Sequence, residues 1–222
     1  GILAQADRNI LYADEVNLLS DDIVDAILDA AAMGYFTVRR GPVNATYHSR
    51  FRLIGSMNPE EGKLRPQIMD RFGLRVIVRS LEDSGERWEA YQRSADHRMN
   101  PGAYNQQFAE ITRIARQEIQ NSIHLLPNVV LPREIGALGI RLVQAMKIDS
   151  LRAEITLFEA ARAYAAADNR MTVEPDDLRA VAPMALRMRK SQFMAAFMNE
   201  ISKEESQIEE VLRQIPTARD EE

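Results

Sequence analysis

The sequence predicts an α/β unit that is followed by an all-helical unit. Residues 10–79 alternate short β-branched runs with helical patterns, which is typical of an α/β fold. Past residue 82 the β-branched runs disappear and helical periodicity takes over. This periodicity extends through residues 104–123, 133–148, 151–167 and 175–190. The 222 residues, 45% of them apolar, are enough for a hydrophobic core in one larger domain or in two small ones.

The composition excludes several classes of protein. The chain has no cysteine, so it contains neither disulfides nor thiolate metal ligands. Its formal net charge is -5 and its longest basic block covers only residues 187–190, which gives no support for a nucleic-acid partner. No apolar run approaches the roughly 20 residues that cross a bilayer, and the first residues do not resemble a signal sequence. We expect no membrane span, and a location in the cytoplasm or the plastid stroma.

The first predicted strand covers residues 10–13, where a short apolar run ends in Asp14 and Glu15. A buried strand that ends in carboxylates is typical of a functional edge in α/β proteins. A helix is predicted next, with Ser20 as its N-cap and Gly34 at its end. Its apolar stripe consists of Ile23, Val24, Ile27, Leu28 and Ala31.

A β-hairpin is predicted after this helix, because residues 35–47 alternate β-forming residues with charges around a Gly-Pro pair. A second core strand follows at 51–57 and ends just before a proline. A short helical segment at 65–73 then leads into a third strand, which is predicted at 74–78.

These patterns divide the chain into an α/β unit at residues 1–80, a helical unit at 81–190 and a C-terminal segment at 191–222. The Ser-Leu-Glu-Asp-Ser-Gly stretch at 80–85 is the predicted linker. In the last segment apolar residues recur seven positions apart, which predicts an amphipathic helix that either packs on its own unit or binds a partner. The heptad positions are Met194, Ile201, Ile208 and Ile215.

Two predicted strand ends carry side chains that suit phosphoryl transfer. Asp14 has the chemistry to hold Mg²⁺ through water, and Glu15 can polarise an attacking water. Asn58, at the end of the next strand, can hydrogen-bond a lytic water and a γ-phosphate. Simpler interpretations exist: solvated acids at a strand end, and an asparagine that makes a local turn before proline. Taken one at a time, these residues leave both interpretations open.

Three motifs follow one another in a specific order along the chain. Residues 11–19 are Leu-Tyr-Ala-Asp-Glu-Val-Asn-Leu-Leu, residues 55–62 are Gly-Ser-Met-Asn-Pro-Glu-Glu-Gly, and residues 64–73 contain Leu-Arg-Pro-Gln and Asp-Arg-Phe-Gly. Together they closely resemble the AAA+ ATPase subunit of magnesium chelatase, of subunit I type in the MoxR-related AAA+ clade, through about residue 190. The resemblance implies the C-terminal part of a P-loop NTPase sheet with an inserted β-hairpin, followed by an all-α helical lid.

The resemblance implies a role for each residue at the strand ends. Asp14 and Glu15 match the Walker B pair, and Asn58 matches the sensor-1 amide. Asp14 then binds Mg²⁺ through water, whereas Glu15 and Asn58 are catalytic residues. ATP and Mg²⁺ are the implied cofactors.

Two arginines also acquire roles from the resemblance. Arg71 matches the catalytic arginine finger that is offered to the neighbouring subunit's nucleotide, and Asp70 matches the acid beside it at the subunit interface. Residues 150–155 are similar to the family's sensor-2 segment, so Arg152 contacts the γ-phosphate of its own subunit's nucleotide. From the pattern alone, Arg71 is equally an ordinary salt-bridge partner of Asp70 or a nearby acid, and Arg152 a solvated helix arginine.

The sequence departs from the family pattern at one essential part. Gly-x-x-x-x-Gly-Lys-Ser/Thr occurs nowhere in the 222 residues, so they contain neither the backbone cradle nor the phosphate lysine. Residues 1–8 have the pattern of a helix end that leads straight into the first strand. We expect upstream residues to complete the site, and ATP hydrolysis to require that phosphate-binding segment.

The resemblance implies ATP hydrolysis by a ring-forming AAA+ motor, a homo-oligomer with six subunits as the expected number. This motor drives Mg²⁺ insertion into protoporphyrin IX, in chlorophyll biosynthesis, together with other chelatase subunits. One alternative is a MoxR-like chaperone that matures metalloenzymes with a von Willebrand-type domain protein. Another is a non-catalytic AAA+ scaffold subunit. The missing phosphate loop favours the scaffold, and the intact set of Asp14, Glu15, Asn58 and Arg71 disfavours it.

Overall fold

A computed structural model describes residues 1–62, 64–189, 201, 203–208 and 210. Its contacts divide the chain into two units, Gly1–Phe72 and a second unit that begins at Gly73, whereas composition placed the change after residue 80. Arg75 explains the difference, because its backbone and its side chain form hydrogen bonds with residues of the helical unit. Its N–H donates to the Met184 carbonyl at 2.9 Å and its Nη1 donates to the Arg187 carbonyl at 2.8 Å.

The first unit is an α/β unit, as predicted. Its elements in order are α1 (Ile2–Gln5), β1 (Ile10–Ala13), α2 (Asp21–Met33), β2 (Tyr35–Arg40), β3 (Val43–His48), β4 (Arg52–Gly55) and α3 (Pro66–Arg71). Strands β1 and β4 form a two-stranded parallel sheet, and β2 with β3 forms the predicted antiparallel hairpin. A parallel pair needs a long connection, which α2 and the hairpin provide.

Helix α2 begins and ends as predicted. Ser20 occupies the N-cap position, but its side chain makes no capping hydrogen bond with the described residues. Asp21 and Asp22 in the first turn stabilise the positive end of the helix dipole instead. Gly34 ends the helix with a φ of 75°, and its amide donates to the Ala30 carbonyl at 2.9 Å. Glycine suits this position because a Cβ would strain the left-handed conformation.

The apolar stripe of α2 forms part of the core of the first unit. Val24 and Leu28 are buried in one cluster with Val16 and Ile68. Ile23, which the sequence places in the stripe, is 51% exposed. Burial of the remaining stripe against the sheet holds the first turn after β1 in place.

Strand β1 is covered on one face only, so the prediction of a buried strand is wrong for half of its residues. Leu11 is buried, whereas the side chains of Ile10 and Tyr12 on the opposite face are exposed. Successive side chains of a strand point to opposite faces, and the first unit packs against one of them. Tyr12 lies on the uncovered face, near the end of the strand, and Asp14 follows directly after the strand.

The third strand predicted at 74–78 does not form. Residues 74–82 contain neither helix nor strand, and Val78 is 90% exposed. β-Branched residues favour a strand, but a strand exists only where a neighbouring strand shares its hydrogen bonds. Among the described residues no strand lies beside this segment, so its backbone stays irregular.

The second unit is helical, as predicted. Its helices are α4 (Ser84–Met99), α5 (Pro101–Gln107), α6 (Ala109–Leu125), α7 (Arg133–Ala145), α8 (Leu151–Ala167) and α9 (Pro175–Leu186). The helix predicted at 104–123 is divided at Phe108, which caps both α5 and α6. Helix α8 carries the core on one face, where residues four apart are fully buried. These are Ala153, Leu157, Ala161 and Ala165.

A buried carboxylate fixes the start of α9. Asp177 is 1% exposed, and its Oδ2 accepts from Arg170 Nη1 and from the Glu174 amide, both at 2.8 Å. The Arg170 guanidinium is the main reason why the pKa of Asp177 lies below its usual value. Asp177 and Glu174 also form a reciprocal capping box, so the helix begins on fully bonded polar groups.

The C-terminal segment is described only at residues 201, 203–208 and 210, and these are helical. Met194 and Ile215 lie outside the described residues, so the packing of the predicted heptad row stays a prediction. Within the described part of the chain, no helix combines the length and the apolar character that crossing a bilayer demands.

Candidate functional site

The carboxyl ends of β1 and β4 lie side by side. In the parallel register Ala13 pairs with Gly55, and the ladder continues with the Ser56 amide donating to the Ala13 carbonyl at 3.0 Å. Asp14 and Ser56 are therefore the first residues beyond the paired strands, at one edge of the sheet. A Cβ at residue 55 would lie 3.2 Å from the Phe72 ring, a tight contact that glycine avoids.

Asp14 is exposed and accepts hydrogen bonds from two hydroxyl groups. Tyr12 Oη donates to its Oδ1 at 3.0 Å, and Ser56 Oγ donates to the same oxygen. The Ser56 hydroxyl, followed by that of Tyr12, lowers the pKa of Asp14 below its usual value. The carboxylate is therefore ionised at neutral pH. Both hydroxyls bond to Oδ1, and neither bonds to Oδ2.

Glu15 has an unusual backbone conformation. Its φ of 49° and ψ of 50° lie in the left-handed region, which costs a residue with a side chain on the order of 1 kcal/mol or more. Two hydrogen bonds hold the chain there: the Glu15 amide donates to Ser56 Oγ at 3.1 Å, and the Val16 amide donates to the Ser56 carbonyl at 2.9 Å. The turn presents the Glu15 side chain to solvent beside Asp14.

Asn58 makes the local turn that the simpler interpretation proposed. Its Oδ1 accepts from the Glu60 amide at 3.2 Å, and its carbonyl accepts from Asn17 Nδ2 at 3.3 Å. With Oδ1 used in the turn, the amide NH₂ is the end that can donate to a phosphate or a water. Asn17 Oδ1 is buried without a donor among the described residues, so a water or a ligand is needed to satisfy it.

Arg71 binds carboxylates of its own unit. Its Nη1 lies 2.7 Å from Asp29 Oδ1 and 3.6 Å from Asp25 Oδ1, on helix α2. Arg65 is held in the same way, 2.9 Å from Asp21 Oδ2. The ion pairs are partly exposed, and pairs of this kind contribute about 0 to 1 kcal/mol to stability. Arg71 therefore forms salt bridges with nearby acids, which is the simpler interpretation that the sequence left open.

Asp70 and Arg152 complete the set of predicted residues. Asp70 lies half-buried on α3, next to Arg71. Arg152 belongs to the second unit, where it is exposed in the first turn of α8. The structure thus brings Asp14, Glu15 and Asn58 to one sheet edge, and the roles of Asp70, Arg71 and Arg152 stay predictions.

The donor set at the sheet edge fits Mg²⁺ and not a metal caged by protein alone. Among the described residues no three His, Asp or Glu side chains come close enough to hold a metal ion. Mg²⁺ keeps several waters and takes one or two carboxylates together with substrate phosphates. An ionised Asp14 with an oxygen clear of both hydroxyls is suited to that arrangement.

Sequence reasoning missed Ser56 and Tyr12. Tyr12 could have been found from strand geometry, because it lies two residues before Asp14 on the same strand face. Ser56 requires the register as well, since only the pairing of Ala13 with Gly55 places its hydroxyl beside Asp14.

The family model of the AAA lid domain matches residues 137–211. This range starts within α7 and continues beyond α9. The match assigns α8, α9 and most of α7 to a known domain type.

The chain is also similar to curated proteins along most of its length. A magnesium-chelatase subunit ChlI homolog from Methanocaldococcus jannaschii is 43% identical over 201 residues, which are 90% of this chain and 55% of that protein. A magnesium-chelatase 38 kDa subunit from Acidiphilium rubrum is 43% identical over 189 residues, 85% of this chain and 55% of that protein. The chloroplastic magnesium-chelatase subunit ChlI from Nicotiana tabacum is 38% identical, covering 85% of this chain and 44% of that protein. The chain spans about half the length of these relatives.

A crystal structure shows the same fold. A Cytophaga hutchinsonii protein described as an ATPase has a TM-score of 0.59 and 24% identity, with 94% of this chain and 66% of that chain covered. At this identity the likeness concerns the fold alone. The chain therefore has an AAA+ fold, an α/β core followed by a helical lid, and is a relative of the magnesium-chelatase ChlI subunits.

Proposed function

We propose that this chain provides the Walker B, sensor-1 and arginine-finger residues of a ring-forming ATPase. The observation that supports this most is the carboxylate pair at the end of β1, with Asp14 held ionised by two hydroxyls. Asp14 is the residue that would hold Mg²⁺ through a water, and Glu15 polarises the attacking water. The NH₂ end of Asn58 donates to the γ-phosphate or to that water. When bound, Mg²⁺ neutralises charge on the phosphate oxygens.

Hydrolysis also needs a phosphate-binding loop, and its motif does not occur in these 222 residues. We call this chain together with such a loop the ATPase-competent protein, whether the loop lies on the same polypeptide or is added as a separate segment. In that protein Arg152 contacts the γ-phosphate of its own subunit. Arg71 acts on the neighbouring subunit's nucleotide, with Asp70 beside it at the interface.

Replacing Asp14 by Ala tests the metal role directly. We expect Asp14→Ala to weaken binding of Mg·ATP by about tenfold or more, because the substitution removes the carboxylate that holds the metal-bound water. Isothermal titration of the ATPase-competent protein with ATP, with and without Mg²⁺, measures the effect. Binding without Mg²⁺ should be unchanged. If Mg²⁺ increased the affinity for ATP equally in the variant and the wild type, Asp14 would be excluded as the residue that holds the metal.

We propose further that the motor drives Mg²⁺ insertion into protoporphyrin IX, as a homo-oligomeric ring, most simply a hexamer, with other chelatase subunits. The similarity to proteins that are described as magnesium-chelatase subunits supports this choice over a MoxR-like chaperone that works with a von Willebrand-type domain protein. The tobacco relative is chloroplastic. This supports a location in the plastid stroma if the protein is made in plastids or targeted to them, and we propose the cytoplasm otherwise.

Reconstitution separates these two proposals. We expect the ATPase-competent protein, mixed with the two other chelatase subunits, protoporphyrin IX, Mg²⁺ and ATP, to produce Mg-protoporphyrin, which is followed by porphyrin fluorescence. The Asp14→Ala protein is the control and should produce none. ATP hydrolysis without any chelation in this mixture would favour the chaperone.

A further inference from the structure

The Ser56 hydroxyl hydrogen-bonds to both residues that follow β1: it donates to the Asp14 carboxylate and accepts from the Glu15 backbone amide. We infer that Ser56 is a positioning residue, which sets the metal-binding carboxylate of Asp14 and the backbone of Glu15 at the same time. The inference rests on the proposed ATPase function, and it names a residue that this function does not itself assign.

The Ser56 hydroxyl can make both contacts at once. A hydroxyl group has one hydrogen to donate and two lone pairs that accept. Ser56 Oγ donates its hydrogen to Asp14 Oδ1 and accepts the Glu15 amide at 3.1 Å. The residue is half-buried. Two hydrogen bonds fix its backbone: the Ser56 amide donates to the Ala13 carbonyl, and the Ser56 carbonyl accepts from the Val16 amide.

The contact with Glu15 carries the larger consequence. Glu15 is held in the left-handed region, where a residue other than glycine is strained. Its amide bond to Ser56 Oγ helps to keep the turn in that conformation. Without the acceptor, the backbone can relax toward an ordinary conformation and carry the Glu15 carboxylate away from its place beside Asp14. Displacing a catalytic group by about 1 Å is enough to slow a reaction greatly.

Tyr12 offers a matched control within the same chain. Its hydroxyl donates to Asp14 Oδ1 at 3.0 Å, as the Ser56 hydroxyl does, and Tyr12 Oη has no contact with the Glu15 amide among the described bonds. Tyr12→Phe therefore removes one donor from Asp14 and leaves the Glu15 turn intact. Ser56→Ala removes one donor from Asp14 and the Ser56 acceptor of the Glu15 amide, which then keeps only its hydrogen bond to the Asp14 carboxylate.

The test compares kcat and KM for ATP in ATPase-competent forms of Ser56→Ala, Ser56→Thr and Tyr12→Phe. We expect Ser56→Ala to lower kcat by about 10-fold to 100-fold, the range that is typical for a residue that orients a metal or catalytic ligand, with KM nearly unchanged. Tyr12→Phe should lower kcat only about threefold, and Ser56→Thr should restore it to within about threefold of wild type because it keeps the hydroxyl. Titration with Mg·ATP should show similar, small losses of affinity in Ser56→Ala and Tyr12→Phe.

Three outcomes overturn the inference: equal kcat in Ser56→Ala and Tyr12→Phe, wild-type kcat in Ser56→Ala, or no recovery in Ser56→Thr. Thermal unfolding checks that the variants are folded. If Ser56→Ala does not fold, Ser56→Cys replaces the hydroxyl by a slightly larger thiol with weaker hydrogen bonds and should also lower kcat. Glu15→Gln is measured alongside. If Glu15→Gln loses turnover and Ser56→Ala keeps wild-type turnover, only the role of Ser56 is rejected. If Glu15→Gln keeps wild-type turnover, the proposed catalytic role of Glu15 is rejected instead.

Discussion

Replacing Glu15 by Gln should leave nucleotide binding intact and stop turnover in the ATPase-competent protein. The amide has nearly the same size as the carboxylate and keeps the backbone turn, but it cannot polarise the attacking water. Asp14 remains for the metal. We expect kcat to fall by about 10²-fold to 10⁴-fold, the usual contribution of general base catalysis. Phosphate release measures turnover, and titration calorimetry measures binding.

The exposed Glu82 provides a matched control, since Glu82→Gln makes the same chemical change in the irregular segment after Val78. That variant should hydrolyse ATP at the wild-type rate. Turnover of Glu15→Gln within a few-fold of wild type would reject Glu15 as the catalytic residue. Absence of turnover in the wild-type ATPase-competent protein would favour the scaffold alternative.

Replacing Arg71 by Ala should give rings that bind ATP and hydrolyse it very slowly. A head-to-tail ring presents one subunit's surface to a different surface of the next, so Arg71 can complete a neighbour's site. Arginine fingers contribute about 10³-fold to 10⁵-fold to the rate. Mixing Arg71→Ala with Glu15→Gln tests action between subunits, because the first still has Glu15 and the second still has Arg71. Partial recovery of hydrolysis is the expected result.

Asp29 provides the control for the ion pair that the structure shows. Asp29→Asn removes the nearest partner of Arg71 and keeps the guanidinium. If Arg71 served only that ion pair, both substitutions would change the free energy of unfolding by about 0 to 1 kcal/mol and neither would stop hydrolysis. We expect Asp29→Asn to retain activity within a few-fold. Mixed rings without recovery would place Arg71 in its own subunit's site or in the ion pair alone.

The candidate site was predictable where it depends on strand ends. An apolar run followed by Asp14 and Glu15, and a second run followed by Asn58, place all three residues at one edge once the strands are parallel. Ser56 could not be predicted, because its role depends on which residues of two strands far apart in sequence face each other. The ion pairs of Arg71 depend likewise on how α3 packs against α2.

The fold shows two opposite errors of pattern reasoning. Helix α4 was not predicted, because most of its residues are polar or charged, and none of them is buried in the structure. Its cap could have revealed it, since Asp83 accepts from the Glu86 amide at 2.9 Å. The segment 74–78 was predicted as a strand from composition alone, and no described strand pairs with it. Local composition cannot supply a hydrogen-bonded neighbour.

The parallel sheet of the first unit consists of β1 and β4, so the outer edge of each strand has no neighbouring strand among the described residues. Its uncovered face also carries two cross-strand neighbours, Tyr12 at 60% exposure and Ile54 at 50%. Open edges and apolar faces of this kind favour strand pairing between molecules. For these 222 residues on their own, self-association in concentrated solution can therefore arise edge to edge, by a route that needs no nucleotide. A large particle in size-exclusion chromatography is a ring only if its formation depends on ATP and survives dilution.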